Sequence, residues 1–173
     1  MTFEELRAMD EAYVMHTYGR FPVDIDHGEG ATLYSLSGKK YIDFTSGIGV
    51  NSLGYGNPKW IAAITDQIGK LGHISNLFYT QPGALLAKAL CTRTGMSKVF
   101  FGNSGAEANE AMIKVARKYS FDKYGKGRSA ILTLNHSFHG RTMAALTATG
   151  QPHYHDYFFP FVEGFRYADP AGK

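Results

Sequence analysis

Two short stretches hold the side chains and turns best suited to chemistry. The first is Gly102-Asn103-Ser104-Gly105, small and turn-prone, set between the apolar run Val99-Phe100-Phe101 and a long helical pattern. A strand, a small-residue turn and a helix start together make a cup of backbone N–H groups. The helix macrodipole adds partial positive charge there, and such a cup suits a phosphate. Ser104 is placed to cap the helix, and Glu107, three residues on, to complete a capping box. An ordinary capped helix has the same pattern. The second stretch is His136-Ser137-Phe138-His139-Gly140-Arg141-Thr142. Phe138 can lie flat on a planar ring, and Arg141 offers a planar fork for a carboxylate. The plain alternatives are a core aromatic and a surface helix arginine. His136, Ser137 and His139 suggest a hydrolase or a metal site. However, no Gly-x-Ser-x-Gly elbow surrounds Ser137, and two ligands without a third are weak evidence for a metal centre. His153 and His155 read as solvent or interface residues.

The elements that must position these residues follow from periodicity and turn chemistry. The run 99–101 predicts a buried strand. The helix after it carries Ala108, Ala111, Met112, Val115, Ala116 and Tyr119 on one face and is closed by Gly125. A buried strand over 129–134 and a short helix over 141–148 follow, then an aromatic, irregular tail from Gln151. A helix also opens at Pro82 and ends at Gly95, so the order from there is helix, strand, helix, strand, helix. That alternation predicts a parallel sheet, with a right-handed crossover between 99–101 and 129–134 if both lie in it. The loop carrying Phe138 and Arg141 would then leave the strand end where ligands of open α/β sheets gather. Upstream, Thr2-x-x-Glu5 predicts a capped helix that stops before Gly19. A β-hairpin is predicted over 31–36 and 40–44. Asn57-Pro58 opens a further helix, ended by Gly72.

The totals exclude several classes. A chain of 173 residues suffices for one domain, and its 44% apolar content speaks against global disorder. The net charge of +3 comes from basic residues scattered among acids, unlike a nucleic-acid footprint. Cys91 is the only cysteine, so the chain has no disulfide framework and no cysteine-based zinc site. The acidic, polar stretch from Met1 is no secretory signal. No apolar run approaches the ~20 residues of a membrane span. A cytoplasmic setting with no membrane or nucleic-acid partner is the expectation.

Phe101-Gly102-Asn103-Ser104-Gly105-Ala106-Glu107-Ala108-Asn109-Glu110, followed by Ser137-Phe138-His139-Gly140-Arg141-Thr142, resembles the class III (ω-amino acid) aminotransferases, which use pyridoxal 5′-phosphate. Tyr18-Gly19-Arg20, Gly28-Glu29-Gly30, Gly38-x-x-Tyr41-Ile42-Asp43-Phe44, Gly47-Ile48-Gly49-Val50-Asn51 and Ser75-Asn76-Leu77-Phe78-Tyr79 extend the likeness over almost the whole chain. They narrow it to the branch that moves the δ-amino group of N-acetylornithine to 2-oxoglutarate in arginine biosynthesis. Ornithine, succinylornithine and 4-aminobutyrate are the alternative donors. A non-catalytic α/β module that binds a phosphorylated ligand is the alternative from another class.

The resemblance implies an incomplete fold-type-I α/β architecture. It has a mostly parallel sheet with flanking helices, plus an N-terminal helix and β-hairpin. Residues 1–57 would be the N-terminal segment of the small domain, and 58–173 the first part of the cofactor-binding large domain. Ser104, Gly105 and Ala106 would hold the cofactor phosphate, and Phe138 would stack on the pyridine ring. Arg141, helped by Tyr18, would hold the substrate carboxylate farthest from the reacting amine. An amino acid and a 2-oxo acid are the implied substrates. A homodimer is implied too, with Gly47-Ile48-Gly49 and Ser75-Asn76 reaching the neighbour's site. The family's Gly-His-x-His-Pro stretch reads Gly54-Tyr55-Gly56-Asn57-Pro58 here. None of the lysines, including Lys114, Lys118 and Lys173, sits in the family's Schiff-base motif. The family carries that lysine, a ring-pairing aspartate and a further substrate arginine later in its chain. The expectation is therefore an N-terminal fragment that is inactive alone.

Overall fold

The computed structural model describes residues 1–170, so Lys173 lies outside the described residues. The chain divides into two units, Met1–Phe78 and Tyr79–Lys173.

The first unit opens with α1 (Phe3–Tyr13). Thr2 Oγ1 accepts the Glu5 N–H at 3.2 Å and the Glu5 carboxylate accepts the Thr2 N–H at 2.9 Å, forming the expected capping box. The helix ends at Tyr13, well short of Gly19. There the His16 ring bonds to the Glu11 carbonyl at 3.0 Å, and a continuing helix would need that carbonyl for the Met15 N–H. Three antiparallel strands follow in the order β1-β2-β3: β1 (His27–Glu29), β2 (Thr32–Tyr34) and β3 (Lys40–Ile42). β2 and β3 are the expected hairpin, with Leu33 opposite Tyr41. β1 has no strand signature in sequence. Gly28 lets the Tyr55 ring lie against it, since a Cβ at that position would be 2.5 Å from Tyr55 Cγ.

Asp43 organises the next stretch. Its carboxylate accepts the Thr45 hydroxyl and the Thr45 N–H, both at 2.7 Å, the Tyr55 hydroxyl at 2.8 Å and the Ser46 N–H at 3.0 Å. These bonds, the Thr45 hydroxyl first and Tyr55 next, hold its pKa down at about 2. They lead into α2 (Ser46–Gly49), a single turn with φ positive throughout, from 49° at Ser46 to 81° at Gly49. α3 (Pro58–Lys70) begins as expected, with Asn57 Oδ1 accepting the Lys59 and Trp60 N–H groups at 3.1 Å. Tyr55 and Asn57, which replace the family's two histidines, thus bond to Asp43 and cap α3.

The second unit contains α4 (Gln81–Thr94), α5 (Gly105–Tyr124), β4 (Ile131–Leu134), α6 (Met143–Ala148) and β5 (Phe165–Ala168), with a 3₁₀ turn at Pro152–Tyr154. β4 and β5 pair in parallel, from Ile131 opposite Phe165 to Leu134 opposite Ala168. The parallel pairing is as expected, but the partner strand is not. The run 99–101 forms no strand, and Phe100 and Phe101 are 69% and 46% exposed. An apolar run becomes a strand only where another strand supplies its ladder, and among the described residues none does. β5 instead comes from the aromatic tail that the sequence reads as irregular. Arg117 ties the leads into both strands, donating from Nη2 to the Glu163 carbonyl at 2.7 Å and from Nε to the Ser129 carbonyl at 3.2 Å.

The core of this unit is Ala145, Leu146 and Ala148 of α6, with Ile113 of α5 and the side chains of Thr133, Thr147 and Thr149. α6 starts at Met143, so Arg141 precedes the helix instead of lying in it. α5 turns a different face inward from the one its apolar spacing predicts. Ile113 is buried, while Met112, Val115 and Tyr119 stay more than half exposed. No helix among the described residues is long and apolar enough to cross a membrane.

Candidate functional site

The first turn of α5 leaves backbone donors open. Ser104 Oγ accepts the Glu107 N–H at 3.2 Å. The Glu107 carboxylate reaches one residue further back than a capping box requires. It takes the Asn103 N–H and, at 3.2 Å, the Asn103 side-chain amide. These bonds, the Asn103 side chain first, lower its pKa below the usual carboxylate range. The Gly105 and Ala106 N–H groups occupy the first two helical positions and have no acceptor within the helix. The space beside Gly105 is open, since a Cβ there would meet nothing within 4 Å. With the Ser104 hydroxyl proton, this donor set fits a phosphate. Glu107 adds a negative charge at the same end, but both its oxygens are bonded to Asn103.

The loop after β4 lies against this helix start. Gly140 has φ +132°, and a Cβ on it would be 2.7 Å from the Ala106 Cβ. His139 is held on both sides: its N–H donates to Thr149 Oγ1 at 3.0 Å, and its carbonyl accepts from Asn109 Nδ2 at 2.8 Å. Phe138 is half exposed. The Arg141 guanidinium stands 5.7 Å from the Phe138 ring centroid and 5.9 Å from that of Tyr154. The two rings lie 5.6 Å apart, tilted by 59°. The structure therefore gathers Phe138, Arg141 and Tyr154, and joins their loop to the α5 start through Gly140 and Ala106. Tyr154 was legible only as one aromatic among many in the tail. Tyr18 belongs to the first unit, where it lines a cavity of about 670 Å³ with Asp10, Arg20 and Phe21. Arg20 pairs there with Asp10 at 3.1 Å.

The hydrolase alternative finds no support in the loop. The Ser137 hydroxyl donates to the Leu134 carbonyl at 2.5 Å, and the His139 ring nitrogen lies 3.4 Å away. Among the described residues, no three His, Cys, Asp or Glu side chains gather where they could hold a metal. Lys114 and Lys118 are exposed on α5, and Lys118 pairs with Asp122 at 2.6 Å.

Residues 13–172 match the family model described as Aminotransferase class-III. The chain belongs to the class III aminotransferases. It is 54% identical over 167 residues to the acetylornithine aminotransferase of Haemophilus ducreyi, a match covering 96% of this chain and 42% of that protein. Among solved structures, the ornithine aminotransferase of Toxoplasma gondii superposes with a TM-score of 0.92 at 31% identity, over 98% of this chain and 41% of that one. A second structure of that enzyme matches with a TM-score of 0.92 at 29% identity, over 97% of this chain and 40% of that one. It is described as revealing partial occupancy of PLP at the active site. Class III members are pyridoxal 5′-phosphate enzymes of fold type I, and the α/β arrangement here is a partial version of that fold. The chain spans about 42% of the length of the curated relative it matches.

Proposed function

We propose that the α5 start and the Phe138–Arg141 loop are the phosphate and carboxylate ends of one pyridoxal 5′-phosphate site. The whole protein would move the δ-amino group of N-acetylornithine to 2-oxoglutarate. The observation that carries this reading is the contact of Gly140 with Ala106. It sets a helix start with open N–H donors beside a loop that bears an aromatic ring and a guanidinium. The Gly105 and Ala106 N–H groups and the Ser104 hydroxyl bind the phosphate. Phe138 covers one face of the pyridine and keeps water from it. Arg141 forks the α-carboxylate of the donor, which places the δ-amine at the opposite end of the substrate. When bound, the cofactor supplies a ring that takes up the electron pair released as the C–H bond beside the amine breaks. The role of Tyr18 rests on the family resemblance alone.

The lysine that carries the cofactor and moves the proton lies, in this reading, outside these 173 residues. This makes the chain the N-terminal portion of the enzyme, inactive by itself. Its match to 42% of its relative's length supports that view. A cytoplasmic homodimer completes the proposal. Its dimeric part is supported by apolar side chains left bare in the first unit, with Phe44, Ile48 and Leu77 at 93%, 96% and 85% exposure.

The DNA after the Lys173 codon tests the fragment reading. An open frame that encodes an active-site lysine supports it, and a stop there leaves only a phosphate-binding module. The assembled protein is then assayed with N-acetylornithine, ornithine, succinylornithine and 4-aminobutyrate. The highest kcat/KM with N-acetylornithine is expected, and a higher value with another donor overturns the choice. Arg141→Ala should raise KM for every donor with an α-carboxylate.

A further inference from the structure

The inner face of the first two turns of α5 reads Ala106, Asn109, Glu110 and Ile113, at the i, i+3, i+4 and i+7 positions of one helix face. Two of these four are polar, where a core-facing stripe is ordinarily apolar. Neither Asn109 nor Glu110 touches the open N–H groups. Both reach across to the loop after β4. Asn109 Nδ2 donates to the His139 carbonyl at 2.8 Å. Glu110 Oε1 accepts the Thr142 hydroxyl at 2.5 Å, the Ala144 N–H at 3.2 Å and the Ala145 N–H at 3.3 Å. Thr142 makes no side-chain cap of its own to α6, so a carboxylate from another helix caps that end.

Arg141 is thus bracketed. Behind it, His139 is bonded to Asn109 and Gly140 is pressed on Ala106. Ahead of it, Thr142 and the α6 start are bonded to Glu110. All three anchors come from one rigid helix whose first turn also presents the Gly105 and Ala106 donors. A ligand with a phosphate at one end and a flat ring at the other needs those two ends at a set separation. Only interactions that hold both contact groups in register add their binding together.

We propose that Asn109 and Glu110 are positioning residues that set the distance between the phosphate-binding helix start and the Phe138–Arg141 pair. The proposal rests on the cofactor-site reading above and deepens it. Its prediction is selective. Losing either side chain leaves phosphate binding alone but weakens the contribution of the ring. Asn109→Ala and Glu110→Ala lose these bonds, whereas Glu110→Gln keeps an oxygen acceptor and should behave as the parent.

The test is an amide NMR titration of the ¹⁵N-labelled chain, once with inorganic phosphate and once with pyridoxine 5′-phosphate, which has no aldehyde to react with lysines. The ratio of the two Kd values, read at Gly105 and Ala106, reports the gain due to the ring. We expect that gain to fall about tenfold in N109A, the order of one lost hydrogen bond, and at least as far in E110A. The Kd for inorganic phosphate should stay put, and E110Q should restore the ratio. Should E110A fail to fold, N109A carries the same test through a single bond. An unchanged ratio in the alanine variants overturns the positioning role and leaves the site reading standing. Equal weakening of both ligands means a merely structural role and also overturns it. A parent chain that binds neither ligand at Gly105 and Ala106 sinks the site reading, and this inference with it.

Discussion

Among residues 1–78 the single buried side chain is Ser35, and the turns are held by Thr2, Asp43 and Asn57. Among residues 79–170, by contrast, Ile113, Ala145, Leu146 and Ala148 are buried together with three threonines. The first unit takes its local shape from hydrogen bonds at the surface, and the second from close packing. Apolar burial resists perturbation of charge but not of volume, because interiors are packed as densely as organic crystals. Carboxylate-held turns respond to protonation instead, and an open turn position such as Gly38 has room for added volume.

The largest effect that would sharpen this contrast is at Gly150. A Cβ there would lie 2.2 Å from the Leu134 carbonyl oxygen and 2.9 Å from the Asn135 Cα. Gly150→Ala should cost the second unit about 3 kcal/mol, as overpacking of a tight site does, read by urea unfolding. Gly38→Ala in the β2–β3 turn meets nothing within 4 Å and is strained only by its φ of +80°. Its cost should be about 1 kcal/mol. Equal costs at the two glycines would break the comparison.

Gly140→Ala comes next. It should destabilise the second unit by roughly 2 kcal/mol and, by forcing the loop off Ala106, abolish the ring-dependent gain in pyridoxine 5′-phosphate binding. A variant that keeps that gain would separate the loop from the helix start. Smaller again are the caps. Thr2→Ala and Ser104→Ala should each cost about 1 kcal/mol. Only the second should also weaken inorganic phosphate binding, measured by the same titration.

The smallest effect is acid, read first at Asp43. The Asp43 pKa is lowered from 3.8 to about 2 in the folded chain. The unfolded chain therefore binds the proton first, and the carboxylate's contribution is fully present above pH 3.8 and lost as pH falls toward 2. The Thr45 and Ser46 amides, which donate to Asp43, should shift with a midpoint near 2. A midpoint at the ordinary carboxylate value would show that these bonds do not hold the turn. Glu107 shifts in the same direction, so the α5 cap should loosen in acid too.

The candidate site divides in the same manner. Ser104, Gly105 and Ala106 were legible because a helix start is specified by its own few residues. Phe138 and Arg141 were legible as a ring and a fork three residues apart. The capping-box spacing pairs Glu107 with Ser104, whereas its side chain folds back one residue further to Asn103, because Gly102 leaves room for it. Asn109 and Glu110 stand in the family motif and Tyr154 among the tail's aromatics, but their roles are not written locally, since each acts on groups far along the chain.

Sequence by itself determined the elements whose partners are neighbours along the chain. These are the box at Thr2 and Glu5, the Asn57 cap before Pro58, the stops at Gly95 and Gly125, and the family motifs. Tertiary structure alone decided which face of α5 turns inward, that β4 pairs with 165–168 and not with 99–101, and that Arg117 ties the two strands together. The physical reason is that a buried polar group or an open strand edge must be satisfied by whatever segment folds back onto it. That segment is not written in the local pattern.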